Sequence, residues 1–472
     1  MLFCVVAAFA LVGCQSYSER TQAISGHWQS GRAVFAAERF AREAERDREG
    51  RNALLFRLEE GTAWRAADRI SESDDALTRA EALLADWDRR AEILLGRETA
   101  SLVTNQAARP YRGRGYDRIM LHTYKALNAM REGRAADARV QLNRTYERQR
   151  DAVAGNARRI EAAREQARLG REGRLSVDGA SAEHAYDVER ARRDPRVNRQ
   201  VETLLAPVEQ EMRAYAPYVN PFAVFLEGLY FMHTAYDASD LERARVSMRR
   251  VAGMSASAAL DEEADRAERA AAGDPPGPAT YVILETGRAA TRDEVRIDIP
   301  LYLVSGRVGY IGAAFPQLRF HGGHLRSIEV EADGASRSTV TVCRMDSVIA
   351  REFHDEWPAV LTRTLLASAT KAVAGYALER AAEEHGELAR AIARLVSIGY
   401  QVAVNRADLR SWTTLPKEFQ FVRIENPPDG SLILRAGNEK RRVEIEPDQV
   451  NIVYVRSVSA SSPLHIHTFT LP

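Results

Sequence analysis

The chain has 472 residues, with 66 acidic and 66 basic side chains and a formal net charge of zero at pH 7. This length exceeds what one hydrophobic core usually serves, so we expect two domains. The balanced charge provides no global electrostatic field, which argues against nucleic acid as a partner.

The chain begins with a short apolar segment. Residues 2–13 (LFCVVAAFALVG) carry no charge. They are too few to span about 30 Å of hydrocarbon as a helix but suit the apolar core of a signal peptide. The segment ends in Leu11-Val12-Gly13-Cys14, which resembles the lipobox of bacterial lipoproteins. The resemblance implies that residues 1–13 are removed as a signal peptide and that Cys14 is the site of lipid attachment.

A lipid on Cys14 predicts a location in the bacterial cell envelope. Several acyl chains, at about 0.8 kcal/mol per buried CH₂, form a durable membrane anchor. Gln15 differs from the Asp that favours inner-membrane retention in enterobacteria, so we expect an outer-membrane protein that faces the periplasm. No Lys or Arg precedes Cys14, and an ordinary secretory signal with incidental cysteines is the alternative.

Residues 14–272 show the periodicity of amphipathic helices. Three segments share one plan, in which a helix with a small residue facing its neighbour precedes a turn and a second helix. The second segment has the spacing of a tetratricopeptide repeat without gaps. An irregular helical bundle is the alternative. The small residues are Gly61 with Ala76 and Ala80, then Ala126 and Ala129 with Ala138, then Gly228 with Ala244.

A charged insertion at about 150–200 interrupts these segments. Its first part, 150–170, is predicted to be a charged helix, and 171–200 a loop rich in Gly, Asp and Arg. We expect the insertion to be solvated and to break a regular solenoid, with a mobile partner-binding arm as the alternative.

The hydrophobic period changes after a linker at 273–279, which is rich in small and helix-breaking residues. Val295, Ile297 and Ile299 alternate with mostly polar neighbours, as in a half-buried strand. Turn residues between several of the strands favour antiparallel pairing. Further strands are predicted at 280–286, 326–332, 338–344, 419–425, 431–436, 441–446 and 450–458.

Two helices are predicted between the strand groups, at about 348–384 with a break near Pro358 and at 387–404. Their charged residues argue against membrane insertion. We expect a helical hairpin packed on one face of an antiparallel sheet. Residues 280–472 would then form an α+β domain. The fold class is therefore a multidomain chain in which an all-α, tetratricopeptide-like domain precedes an α+β domain.

Histidine pairs provide the one hint of metal chemistry. His321 and His324 share a glycine-containing loop, and His465 and His467 lie on one face of the last strand. Neither pair has a third ligand at a recognisable spacing, and Cys343 has no accompanying catalytic pattern. The motifs HEXXH, GxSxG and GxxxxGK[ST] are absent. We therefore assign no catalytic residue, metal or cofactor, and expect a protein that is not an enzyme.

The segment 407–416 (ADLRSWTTLP) is a candidate partner-binding site. Asp408, Arg410 and Trp412 stand at every second position, just after a helix and before a strand. Such a triad could form an exposed recognition patch with an aromatic anchor. The alternative is a structural corner, in which Asp408 pairs with Arg410 and Trp412 packs against the sheet.

Several stretches resemble an uncharacterised family of bacterial envelope lipoproteins with a tetratricopeptide-like amino-terminal half. They are 117–143 (DRIMLHTYKALNAMREGRAADARVQLN), 220–232 (NPFAVFLEGLYFM), 294–301 (EVRIDIPL) and the ADLRSWTTLP segment. The resemblance implies the order of domains, an envelope location and a role in cell-wall or outer-membrane assembly, without an established activity. The long insertion departs from the family pattern.

These observations predict a lipid-anchored envelope scaffold or adaptor that binds envelope proteins. The membrane contact is the amino-terminal lipid, and no nucleic acid is expected. One alternative is a metal-dependent enzyme that acts on a wall or glycan substrate at the histidine loop. The other is a purely structural lipoprotein.

Overall fold

The computed structural model describes residues 17–94, 101–102, 109–172, 174, 176–177, 180–181, 186–212, 219–255, 257–300, 310–383 and 406–471. Helices dominate the part before residue 272, and sheets with one long helix form the part after residue 278. The predicted multidomain order of helices and then sheets is confirmed. The signal segment, Cys14 and the predicted helix at 387–404 lie outside the described residues.

Most helices of the first half pack against the next helix in the chain. A small sheet, formed by β1 (Ser101–Leu102), β2 (Ser176–Val177) and β3 (Ala180–Ser181), accompanies them. The helices are α1 (Tyr17–Gln29), α2 (Ala33–Arg46), α3 (Ala53–Ala66), α4 (Ile70–Leu94), α5 (Gly115–Arg131), α6 (Ala135–Arg171), α7 (Val188–Arg192), α8 (Pro195–Glu211), α9 (Pro221–His233), α10 (Ala238–Ala252) and α11 (Ala258–Ala271).

Glycines stand where two of the predicted helix pairs approach most closely. A Cβ atom on Gly61 of α3 would lie 2.6 Å from the Leu77 side chain of α4. A Cβ atom on Gly228 of α9 would lie 2.9 Å from Cγ of Met248 on α10. Both distances are shorter than carbon atoms tolerate, so these helices pack at a separation that requires glycine.

Residues 188–200 of the charged insertion are largely helical, which corrects that part of the loop predicted at 171–200. Helix α6 runs unbroken to Arg171, and α8 begins at Pro195 behind Asp194. The Asp194 carboxylate caps α8 by accepting from the backbone N–H groups of Arg196 and Val197. Proline suits the first turn of a helix, so Pro195 starts α8 inside the predicted loop.

The second half is built around a five-stranded sheet with the order β14-β13-β4-β10-β9. Strand β13 pairs with β4 in parallel, whereas the other neighbours are antiparallel. The sheet is therefore mixed, which corrects the antiparallel sheet expected from the turns. The strands are β4 (Ala279–Thr286), β5 (Thr291–Pro300), β6 (Tyr310–Arg319), β7 (Glu329–Ala332), β8 (Ala335–Ser338), β9 (Val340–Arg344), β10 (Glu418–Glu425), β11 (Ser431–Ala436), β12 (Glu439–Glu444), β13 (Asn451–Ser457) and β14 (His465–Thr470).

Both faces of this sheet are buried, each against a different layer. On one face, the Phe419 ring stacks on Phe222 of α9 with centroids 3.9 Å apart, and Phe421 lies 4.7 Å from Phe225. The opposite face packs on the four-stranded sheet β12-β11-β7-β8 through alternate residues such as Val282. Helices of the first half therefore complete the core of the second, and one apolar cluster extends through both.

A long helix, α12 (Met345–Glu383), lies between the two strand groups. It continues through Pro358, so the predicted break there is wrong. It packs mainly on α6 and α8 and on the β5–β6 ribbon, and α9 of the first half covers the sheet face where a helical hairpin was expected. None of the helices in the described part of the chain has both the length and the apolar composition needed to cross a bilayer.

Candidate functional site

The candidate patch at 408–412 is an internal contact between the two halves. The Arg410 guanidinium donates to the backbone carbonyl of Arg109 at 2.8 Å and to that of Arg51 at 3.3 Å. It also pairs with Asp408 at 2.8 Å, and only 6% of Arg410 is exposed. Burial opposes ionisation of Asp408, but the adjacent guanidinium outweighs it and lowers the pKa of that carboxyl.

Trp412 is buried in the helical half, with 2% of its surface exposed. Its indole Nε1 donates to the hydroxyls of Thr62 and Thr414, each at 3.0 Å. Its ring meets Tyr124 edge-on at 5.8 Å between centroids. The expected exposed patch is therefore not formed. Asp408 and Arg410 pair as in the structural-corner alternative, but Trp412 packs against α3 and α5.

Glu59 of α3 binds the two residues that directly follow Trp412 in the chain. Its carboxylate accepts from the backbone N–H groups of Thr413 at 2.6 Å and Thr414 at 2.9 Å. It also accepts from the Thr413 hydroxyl and, at 2.6 Å, from the Tyr17 hydroxyl. Burial raises the pKa of Glu59 although these hydrogen bonds oppose the shift. A buried acceptor with this many donors holds the segment in one position.

A second buried cluster joins α12 to the helical half. Glu356 is surrounded by three guanidiniums, those of Arg159 at 3.2 Å, Arg292 at 3.5 Å and Arg114 at 3.7 Å. Burial disfavours the ionised form of Glu356, but these cations outweigh it and lower its pKa. Burial and the Glu356 charge raise the pKa of the neighbouring Glu352 to about 7. The cluster positions α12 and offers no accessible reactive group.

The histidine pairs contact different partners. His321 Nε2 lies 2.9 Å from the Thr291 hydroxyl, and His467 Nδ1 lies 3.4 Å from Asp68. Burial lowers the pKa of both to about 4 and also lowers those of His324 and His465. Within the described ranges, no group of three His, Cys, Asp or Glu side chains is arranged to hold a metal ion.

The structure describes Cys343 but not Cys14. Cys343 is buried, and its thiol lies 3.6 Å from the Asn220 side-chain oxygen. Burial raises the pKa of this thiol, which disfavours the nucleophilic thiolate. Cys14 lies outside the described residues, so the lipid-attachment prediction rests on the sequence.

Exposed apolar side chains occur on α6 and α10 and just before α10. Tyr236 is 72% exposed, Tyr146 47% and Val246 52%. Exposed apolar side chains mark an interaction site when they are contiguous. No sequence pattern distinguishes these residues, because the helical periodicity does not separate an exposed tyrosine from a buried one.

Polar contacts align α6 with α10 beneath these side chains. Arg139 donates to Asp240 at 2.7 Å, and its guanidinium lies 4.4 Å from the Tyr236 ring centroid. Arg243 donates to Asn143. Tyr146 lies one helical turn after Asn143 on α6, and Val246 lies one turn after Arg243 on α10. We define the α6–α10 surface as Arg139, Tyr146, Tyr236, Arg243 and Val246.

A cleft of about 380 Å³ separates α7 and α8 from α12. Its walls are largely apolar, and its polar residues come from the end of α7, from the start of α8 and from α12. We call it the α8–α12 cleft. It is lined by Glu189, Arg192, Arg193, Val197, Asn198, Val201, Leu205, His354, Trp357, Pro358 and Leu361.

Comparisons of the chain with models of known families, with curated proteins and with solved structures find no match.

Proposed function

We propose that the protein is a lipid-anchored envelope scaffold that binds protein partners through the α6–α10 surface. The observation that carries the proposal is this group of exposed aromatic and aliphatic side chains beside two partly buried arginines. Tyr and Arg are the residue types enriched at the energetic centres of protein interfaces. The Arg139 side chain is held by its ion pair, so less conformational entropy is lost when a partner binds.

The partner that suits this surface is a protein segment with apolar anchors. Tyr146, Tyr236 and Val246 offer apolar contact area. Arg139 and Arg243 beside it are paired with Asp240 and Glu227 of the same chain. Envelope proteins are the expected class because the proposed anchor keeps the chain beside a membrane.

Three further features belong to the same proposal. The successive helix pairs form a tetratricopeptide-like array, supported by the close approaches at Gly61 and Gly228. The chain belongs with the envelope lipoproteins whose motifs it resembles, and it acts in cell-wall or outer-membrane assembly. Cys14 carries the lipid, supported by the Leu11–Cys14 motif, and an outer-membrane, periplasm-facing location follows from Gln15.

Crosslinking in intact cells tests the partner-binding part. The unaltered chain and a Tyr146→Ala/Tyr236→Ala/Val246→Asp variant are purified after crosslinking, with Phe35→Ala as a matched exposed aromatic outside the surface. We expect one or a few specific proteins with the unaltered chain and with Phe35→Ala, and their loss with the triple variant. Recovery of abundant porins alone, or equal recovery with the triple variant, contradicts the proposal.

Fractionation tests the anchor separately. The unaltered chain should enter the membrane fraction and carry a diacylglyceryl mass on its first mature residue. Cys14→Ser should move the protein to the periplasmic soluble fraction. An unaltered chain that keeps residues 1–13 and stays in the cytosol rejects the envelope assignment.

A further inference from the structure

The α8–α12 cleft has the dimensions of a small-molecule site. Its volume of about 380 Å³ falls within the range of roughly 300 to 1,000 Å³ that such sites occupy. Val197, Val201 and Leu205 follow one another at four-residue intervals and form one stripe of α8. Eight residues of helix rise about 12 Å, so the apolar wall is long and narrow.

The opposite wall is a rigid aromatic and aliphatic face of α12. Trp357 and Leu361 are 4% exposed. Phe353 and Phe315 support the Trp357 ring, with centroids 5.6 Å and 5.7 Å away. Pro358 has no N–H, so the His354 carbonyl beside the cleft cannot accept the usual backbone hydrogen bond from the residue four positions later. The wall is preformed and needs little ordering when a ligand enters.

Charge is concentrated at the α7 end of the cleft. Arg192 and Arg193 lie there with Glu189, and two guanidiniums against one carboxylate leave one net positive charge among these three residues. Glu189 lies 3.3 Å from Arg192. The Arg193 side chain is exposed and forms no hydrogen bond or ion pair with the residues described. An anionic group can therefore pair with Arg193 without displacing an existing contact.

We propose that the α8–α12 cleft binds a single-chain amphipathic anion. The apolar tail lies between the α8 stripe and Trp357, and the carboxylate or phosphate group pairs with Arg193 and Arg192. A narrow cleft admits one chain, and removing that chain from water provides the main favourable contribution. This site is separate from the α6–α10 surface and does not depend on the proposed scaffold function.

Titration calorimetry on the full chain carrying Cys14→Ser tests the proposal, with dodecanoate below its micelle concentration as the probe. We expect saturable binding of one dodecanoate per chain and at least about tenfold weaker binding of dodecyltrimethylammonium, because charge-assisted pairs require an anion. Arg193→Glu should weaken dodecanoate binding about tenfold or more. Arg199→Glu, an exposed arginine of the same helix outside the cleft, should leave it unchanged.

Val201→Glu tests the apolar wall, since it places a charge in the path of the tail. It should abolish dodecanoate binding while the circular dichroism spectrum stays unchanged. Equal affinity for both detergents, or binding that neither Arg193→Glu nor Val201→Glu alters, overturns the proposal. So does the absence of saturable binding. If Val201→Glu instead abolishes self-association, the cleft is an interface between copies, which also overturns the proposal.

Discussion

Trp412→Ala should destabilise the protein strongly, although the side chain belongs to a segment with the pattern of an exposed recognition patch. The ring is 98% buried, and its Nε1 donates to two threonine hydroxyls. Truncation of a buried Trp or Phe to Ala costs about 3 to 5 kcal/mol, because the lost transfer energy adds to the cost of the cavity. We expect an effect in this range on the free energy of unfolding.

Two control variants separate the contributions. Trp412→Phe keeps most of the ring but removes the N–H donor, so we expect a smaller loss of about 1 to 3 kcal/mol. Tyr236→Ala removes an aromatic ring that is 72% exposed, and the expected change is within about 0.5 kcal/mol.

Urea unfolding followed by far-ultraviolet circular dichroism measures the three variants against the unaltered chain. Because two packed domains can unfold in more than one step, the first transition midpoint is the quantity to compare. The order of destabilisation should be Trp412→Ala, then Trp412→Phe, then Tyr236→Ala. A Trp412→Ala midpoint equal to that of Tyr236→Ala would refute the reasoning, since it would mean that the indole is not part of the core.

Three further predictions concern other buried features. Glu356→Gln should lower the unfolding free energy by about 3 to 5 kcal/mol, because it removes the carboxylate shared by Arg159 and the largely buried Arg114 and Arg292; a change below about 1 kcal/mol in urea unfolding would contradict the assigned cluster. Burial lowers the pKa of His122 from 6.5 to about 4. The neutral side chain therefore contributes fully to stability above pH 6.5, and up to about 3 kcal/mol of this stability is lost as the pH falls towards 4. His122→Asn, whose amide can still donate to Gln141, should therefore flatten the pH dependence of the urea midpoint between pH 4.5 and 7, and an unchanged slope would exclude this histidine as a source. Gly228→Val should lower the melting temperature by several degrees because its side chain would overlap Met248, and adding Met248→Ala should restore part of the loss; no restoration would show that the two residues are not in contact.

The positions of the strands were easier to predict from the sequence than the way in which the strands pair. The bounds of β4, β10, β11 and β13 were predicted within two residues. Only β11 has the alternating burial of a half-buried strand, whereas β4, β10 and β13 are almost entirely buried. The parallel pairing of β4 with β13 was not predictable, since turn residues only indicate how neighbours in the chain pair. The helix at Pro195 was missed because the loop was predicted from its Gly, Asp and Arg content, and Asp194 acts there as a helix cap.

The functional residues show a similar limit. The pattern Asp408, Arg410, Trp412 was interpreted as an exposed partner-binding patch, but Arg410 and Trp412 are buried against the helical half of the same chain. The spacing of residues along the sequence indicates which side chains share a face, but it does not indicate what covers that face. For the same reason the exposure of Tyr236 became apparent only when α6 and α10 were placed side by side.

The hydrogen bonds that hold residues 413–414 on α3 also affect how the chain folds during synthesis. Glu59 and Thr413 are 354 positions apart. At about 5 to 20 residues per second, a ribosome makes Thr413 roughly 20 to 70 s after Glu59. Throughout that delay the nascent helical half displays the apolar surface that Trp412 later covers. We therefore expect the incomplete chain to need a holding chaperone, and truncations that end before residue 408 to aggregate.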